Sequence, residues 1–204
     1  MPITDNQSLQ AAVIKWMARD DITPDVQDCV QLAETYFNRR LRVRQMENVI
    51  TLRPTDGSIT MPDNYLAWRR LTWLGEPERD LEFVVPSILT RHYPTLAAGI
   101  PLEFTIEGRW LNFRPVDAGE LEFNYYAKPI PLLAPDDTNW LLLEYPDLYL
   151  AGTLAWVNTL VQNNEQFQVW LSAADQILSA PCCSRRKPRD RQQFGTPDQL
   201  REGP

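Results

Sequence analysis

Few side chains in this 204-residue sequence have the types and spacing that chemistry requires. The one histidine, His92, lies in "TRHYP". As a general base it needs a partner to orient its ring, and local sequence cannot supply that partner. A surface or structural histidine is therefore the preferred reading, with a hydrolase as a remote alternative. The cysteines are Cys29, Cys182 and Cys183. An adjacent pair lacks the spacer of a zinc knuckle, so neither a metal site nor a disulfide framework is expected. Cys29 falls on a predicted apolar helix face, where a cysteine acts as a small hydrophobe. The pairs Asp20/Asp21 and Asp136/Asp137 stand where helices and turns begin, and capping explains them. No phosphate loop or nucleophile elbow is present. The expectation is a non-enzyme with no cofactor and no metal.

Two arginine groups remain. Arg39, Arg40, Arg42 and Arg44 crowd "NRRLRVRQME". They can compensate a helix dipole, pair with acidic groups of a neighbouring subunit, or contact DNA. Arg185, Arg186, Lys187, Arg189 and Arg191, with Phe194, populate the C-terminal stretch. Basic residues around an aromatic anchor suit a segment that orders against an acidic groove, and a merely disordered terminus is the other reading.

Charge separates these groups from the rest of the chain. Residues 1–180 hold 24 carboxylates against 14 Lys and Arg, whereas 181–204 hold three against six. An acidic body disfavours non-specific nucleic-acid binding, which needs a dense basic surface. A helix-turn-helix reading of the first two helices meets the same objection, because Asp20, Asp21, Asp25 and Asp28 would face the phosphates. A DNA-packaging or DNA-binding role for that helix pair is the alternative function. The N-terminal residues lack an export signal, and no uncharged apolar run is long enough to span a bilayer. Assembly in a reducing cytoplasm is expected.

The elements that must position these residues follow from periodicity. A helix over about 7–18 carries Leu9, Val13 and Trp16/Met17 at helical spacing. A second, over about 24–42, has Thr23 as N-cap, Pro24 at its first position, and a stripe from Val26 through Cys29/Val30, Ala33 and Tyr36/Phe37 to Leu41. The two should form an antiparallel hairpin. Between 45 and 137 the pattern turns to strands: a hairpin about Asp56-Gly57, a strand in "AWRRLTWLG", another in "LEFVV", a short helix at "PSILTRHY", and a three-stranded meander from Pro101 to Pro129. A compact antiparallel sheet or small sandwich is expected. Helices return with Pro146 opening one that runs to about Gln162, followed by a last helix over about 165–179. The fold class is α+β. Helix pairs in 1–44 and 138–180 form a bundle, an antiparallel β domain with a short helix is inserted at 45–137, and 181–204 is an extended tail.

The stretch "TNWLLLEYPDLYLAGTLAW" joins the two halves. It is too apolar for a solvated helix, yet Glu144 and Asp147 exclude a membrane span. Tyr145, Leu148 and Tyr149 are left to divide between core and neighbour. With "AETYFNRRLRVRQME", "ITMPDNYLAWRRL", "TIEGRWLNFRP" and "LEFNYYAKP", this stretch resembles the head-to-tail adaptor proteins of tailed bacteriophages, from about Leu9 to Leu178. The resemblance is one of pattern and order.

It implies a structural protein of the virion neck that assembles as a ring, twelve-fold in such proteins, beneath the portal. The ring continues the DNA channel toward a tail or nozzle protein and lets genomic DNA pass without sequence-specific binding. The resemblance further implies that a C-terminal extension threads into the portal, which makes Arg185, Arg186, Lys187, Arg189, Arg191 and Phe194 the docking candidates. Arg39, Arg40, Arg42, Arg44, Tyr145 and Tyr149 are the candidates for contact between subunits.

Overall fold

The computed structural model describes residues 2–54 and 56–179. Among these it has six α-helices and eight strands, an α+β arrangement. Helix α1 (Asn6–Met17) starts at a capping box, in which Ser8 N–H donates to the Asp5 carboxylate at 2.7 Å and Asp5 N–H donates to Ser8 Oγ at 3.1 Å. The chain then turns through a short 3-10 segment, Thr23–Asp25, into α2 (Val26–Arg40). Thr23 is not the N-cap expected of it. Its hydroxyl donates back to the Asp20 carbonyl at 2.7 Å, and Pro24 tightens the entry into a 3-10 turn. The anticipated stripe is otherwise inward, with Val26, Cys29, Val30, Ala33, Phe37 and Leu41 all buried.

After a second 3-10 turn (Arg44–Met46), eight strands form two sheets. They are β1 (Glu47–Leu52), β2 (Ser58–Thr60), β3 (Tyr65–Trp73), β4 (Arg79–Asp80), β5 (Glu82–Phe83), β6 (Glu103–Glu107), β7 (Trp110–Arg114) and β8 (Leu121–Ala127), with α3 (Pro86–His92) between β5 and β6. One sheet runs β1-β8-β3-β4 and the other β2-β7-β6-β5. Leu71 and Trp73 of β3 and Leu121, Phe123 and Tyr125 of β8 meet Phe104 of β6 and Leu111 and Phe113 of β7 in one buried cluster. This is sandwich packing, each strand turning alternate residues inward.

Two expected connections are wrong. Asp56-Gly57 does not close a β1–β2 hairpin, because β1 pairs with β8 and β2 with β7. Gly57 does take a left-handed φ of 69°, but its carbonyl accepts from Phe113 N–H and Arg114 Nη1, tying the turn to the opposite sheet. Nor is there a three-stranded meander. The β6–β7 hairpin forms, after which the chain crosses between sheets and β8 inserts between β1 and β3. Alternation of apolar residues tells which face of a strand is buried, and both sheets share that signature. The sheets are also not wholly antiparallel, since β5 runs parallel to β6.

The chain returns through α4 (Trp140–Glu144) to α5 (Pro146–Leu160) and α6 (Asn164–Ser179). Helices α1, α2, α4 and α6 all pack on α5. Its buried residues, among them Leu148, Ala151, Thr153, Leu154 and Val157, consequently point in every direction around its axis. Helices α1 and α2 touch each other far less than either touches α5, so the first hairpin is splayed around a central helix. No helix among the described residues is long and apolar enough to cross a membrane.

Asn139 fixes the joint between the halves. It caps α4 by accepting from Leu142 N–H at 2.9 Å, and its amide donates to the Ile130 carbonyl at 2.7 Å and the Tyr149 hydroxyl at 2.8 Å. It is 5% exposed, so its loss leaves the buried Leu142 N–H without its cap and takes one partner each from the Ile130 carbonyl and the Tyr149 hydroxyl. Asn139→Ala is expected to cost about 1–2 kcal/mol, read as a lower midpoint in urea unfolding at unchanged slope.

Candidate interaction surfaces

The arginine cluster divides in two. Arg40, in the last turn of α2, ion-pairs with Asp175 of α6, and the Tyr36 hydroxyl donates to the same carboxylate. The Arg40 guanidinium also lies 4.5 Å from the centre of the Tyr36 ring. Burial first, then the hydrogen bond to Asp175, pushes the Tyr36 phenol up to about 12. Arg42 does not sit in the last turn of α2, which ends at Arg40. It donates instead to the Asn38 and Leu41 carbonyls, groups that the end of the helix leaves without an intrahelical partner. Arg39 and Arg44 are exposed and make no side-chain bond among the described residues. Sequence reasoning missed Tyr36 and Asp175 as a latch because they are 139 residues apart and neither carries a local signal.

Tyr145 is half-buried and ends α4 while starting α5. Tyr149 is 1% exposed, with its ring edge-on to Phe37 at 5.4 Å. Its hydroxyl donates to Glu34 at 3.1 Å and accepts from Asn139. The side chain is used within the chain and has no surface to offer a neighbour. Burial, followed by the nearby Glu34 charge, raises its phenol above the ordinary range.

Glu34 also accepts from Leu132 N–H at 3.0 Å, clamping the incoming linker to α2. Burial raises its carboxyl above the usual value, the two hydrogen bonds oppose that shift, and the Asp137 charge adds to it. An acid whose pKa rises on folding contributes stability below its unfolded pKa that is lost as pH climbs through the folded value. Glu34→Gln keeps the acceptor and removes the buried charge. The variant is expected to gain on the wild type in thermal stability at neutral pH, with the gap closing below about pH 4.5; midpoints at pH 4 and pH 7.5 check this.

Several large apolar side chains face outward. Trp16, expected in the core, is 60% exposed and forms a T-shaped pair with Trp170, ring centres 5.5 Å apart. Met17 is the member of that pair that packs inward. Val169 and Leu160, at 58% and 49% exposure, lie on α6 and at the end of α5. Ile130, Leu133 and Leu143 stand out around the joint. Trp68 stacks on Phe83 at 5.2 Å, linking one sheet to the other at the surface.

Among the described residues, several chemically able side chains are held in structural contacts. His92 Nδ1 lies 3.0 Å from both carboxylate oxygens of Glu103 on an open surface. Asp137 accepts from the Leu133 and Ala134 amides, which holds its carboxyl below the usual range. Asp21 pairs with Arg19 at 2.6 Å. Burial, then Asp25 and Asp28, lifts the Cys29 thiol to about 11, so it stays protonated. An open cleft of about 270 Å³ beside α3 includes Glu107 and Arg114, but Glu107 accepts from Asn112 and Arg114 from β7 holds the Gly57 carbonyl. No group of three or more metal-binding side chains occurs among the described residues. Asp20, Asp21, Asp25 and Asp28 are all exposed around the start of α2, placing negative charge where a DNA-reading helix would need the opposite.

The proposed docking residues Arg185, Arg186, Lys187, Arg189, Arg191 and Phe194 lie outside the described residues. The family model described as SU10 adaptor protein matches residues 4–201, which takes in that segment. No curated protein matches the chain.

Proposed function

The chain belongs to the SU10 adaptor protein family, a phage head–tail adaptor family, and from that premise we propose that it closes into a ring between portal and tail. As a member it is an adaptor of the phage particle that works against other head and tail proteins. In this reading the helices of 1–44 and 138–180 act as one bundle, 45–137 is the inserted β part, and 181–204 is the portal-docking tail. The ring is twelve-fold, sits in the neck and extends the DNA channel.

The observation that carries the reading is the family match, which runs through the basic segment as well as the body. Physical features support it. Ring closure needs apolar surface between subunits, and the exposed Trp16, Val169, Ile130 and Leu133 can supply it. Arg39 and Arg44 point outward and can pair with a neighbour's carboxylates, whereas Arg40 is engaged with Asp175 and Arg42 with its own helix end. Tyr145, which is half-buried, is the further candidate for such a contact. The excess of carboxylates in the body repels passing DNA.

The tail's role is tested by truncating the chain after Ala180. The truncated protein should fold as before and bind the portal at least tenfold more weakly, the loss of several charge-assisted contacts. Undiminished binding would remove the tail from the docking surface.

A further inference from the structure

Four strands lie at the edges of the two sheets: β1 and β4 in one, β2 and β5 in the other. Exposed edges invite pairing with other chains, and proteins blunt them by shortness, bulges or charge. Three of the four are blunted by shortness, β2 having three residues and β4 and β5 two each. The part of β3 that extends beyond β4 carries two register shifts, along with Arg69 and Arg70. Strand β1 is the exception. It has six residues, ENVITL, with no proline, no glycine and no cation. Its register against β8 is unbroken, and β8 is its only strand partner among the described residues. Val49 on its outer face is 51% exposed.

We propose that the free edge of β1 pairs antiparallel with β1 of a second copy of this chain, about a two-fold axis midway between the two Ile50 residues. The register follows from geometry and charge. Across an antiparallel edge, a residue whose amide and carbonyl point outward must face another of the same kind, so paired residue numbers share parity. Three registers near the strand centre satisfy this. Centring on Val49 sets Glu47 against Thr51 and leaves Arg53 beyond the pairing. Centring on Thr51 sets Arg53 against Val49 and Pro54, which has no amide hydrogen, against Asn48.

Centring on Ile50 sets Glu47 of each copy against Arg53 of the other, Val49 against Thr51, Asn48 against Leu52 and Ile50 against itself. Opposite charges directly across a sheet favour pairing, and here the favourable pair occurs twice by symmetry. Within one chain Glu47 already pairs with Arg69, and Arg53 with Glu120. The Arg53 side chain is nevertheless 78% exposed, so it can turn to a second copy. The order Arg69, Glu47, then Arg53 and Glu120 of the second copy alternates in sign across the joined sheet. A two-fold contact of this kind is not a head-to-tail ring contact. It belongs to the protein before ring assembly, covers the edge most open to misassociation, and stands or falls separately from the ring.

The test uses the full chain and its two charge reversals, Glu47→Arg and Arg53→Glu, each weighed in solution over a range of concentrations. The wild type should shift toward twice its 23.6 kDa mass as concentration rises. Each variant alone should stay monomeric, since each sets like charges together at both ends of the strand. An equimolar mixture of the two should recover the doubled mass, because the heterodimer restores an opposite pair at each end, and this recovery also shows that both variants are folded. A wild type that is monomeric throughout, self-association unaffected by either reversal, or a mixture that stays monomeric would each overturn the proposal.

Discussion

Phe37→Ala is expected to destabilise the protein by about 3–5 kcal/mol, the range for emptying a buried aromatic site. Phe37 is 1% exposed and lies where α2 crosses α5, edge-on to Tyr149. On its other side is Gly152, and a Cβ placed there would come within 2.5 Å of Phe37 Cζ. The ring thus fills the space that a side chain at position 152 would need, and backbone atoms cannot relax into the void. For a chain of this length each kcal/mol moves the thermal midpoint by about 2–4 °C, so a drop of roughly 6–20 °C is expected. The contact predicts a reversal of sign. Gly152→Ala alone should destabilise despite the ~1 kcal/mol better helix propensity of alanine, because the overlap with Phe37 outweighs it. In the Phe37→Ala background the same substitution should stabilise. If the effects simply add, the two residues do not share the space assigned to them.

Trp73→Ala is the counterpart in the sandwich, also at about 3–5 kcal/mol. Trp73 ends β3, is 5% exposed, and lies against two glycines. A Cβ at Gly119 would fall 1.7 Å from its Cη2, and one at Gly75 would fall 2.1 Å from its Nε1. Gly119 belongs to the crossing from β7 to β8, so the indole packs on the backbone that carries the chain from one sheet to the other. The two substitutions together also report on cooperativity. Leu66 of β3 and Tyr126 of β8 pack against the helical cluster, which couples the halves. Both variants should therefore shift one common transition, seen at the same urea midpoint by tryptophan fluorescence and by far-ultraviolet circular dichroism. Separate transitions would show that the helical and β parts unfold independently.

The sequence was most readable where the signal is local. Apolar spacing located α2, α5 and α6 to within a few residues, and Pro146 marked the start of α5 as proline does at a first helical position. Most strands were found for the same reason, Arg79–Asp80 excepted; the β6–β7 hairpin was read correctly, while the pairings of β1, β2 and β3 were not. An alternating pattern specifies a buried face but not which strand lies alongside, and Asp56-Gly57 is a turn whose partner is β7. The apolar run at 138–156 was ambiguous because an all-round buried helix and an interface helix share one composition. Packing by α1, α2, α4 and α6 makes α5 internal and Tyr149 with it. Arg40 and Arg42 were readable as helix-end cations, but Asp175, 135 residues from Arg40, was not. Glu34 and Asn139 were invisible as a network for the same reason: their partners come together only when the linker folds back on α2.

The central claim is that this chain adds to a portal as a closed ring. Its most direct test is the mass of the purified protein, of the portal, and of their mixture. The mixture should give one complex whose added mass is an integral number of 23.6 kDa copies, twelve for a dodecameric portal, with excess chain left unbound. Portal and chain that keep their separate masses, or binding that rises without a fixed stoichiometry, would contradict it.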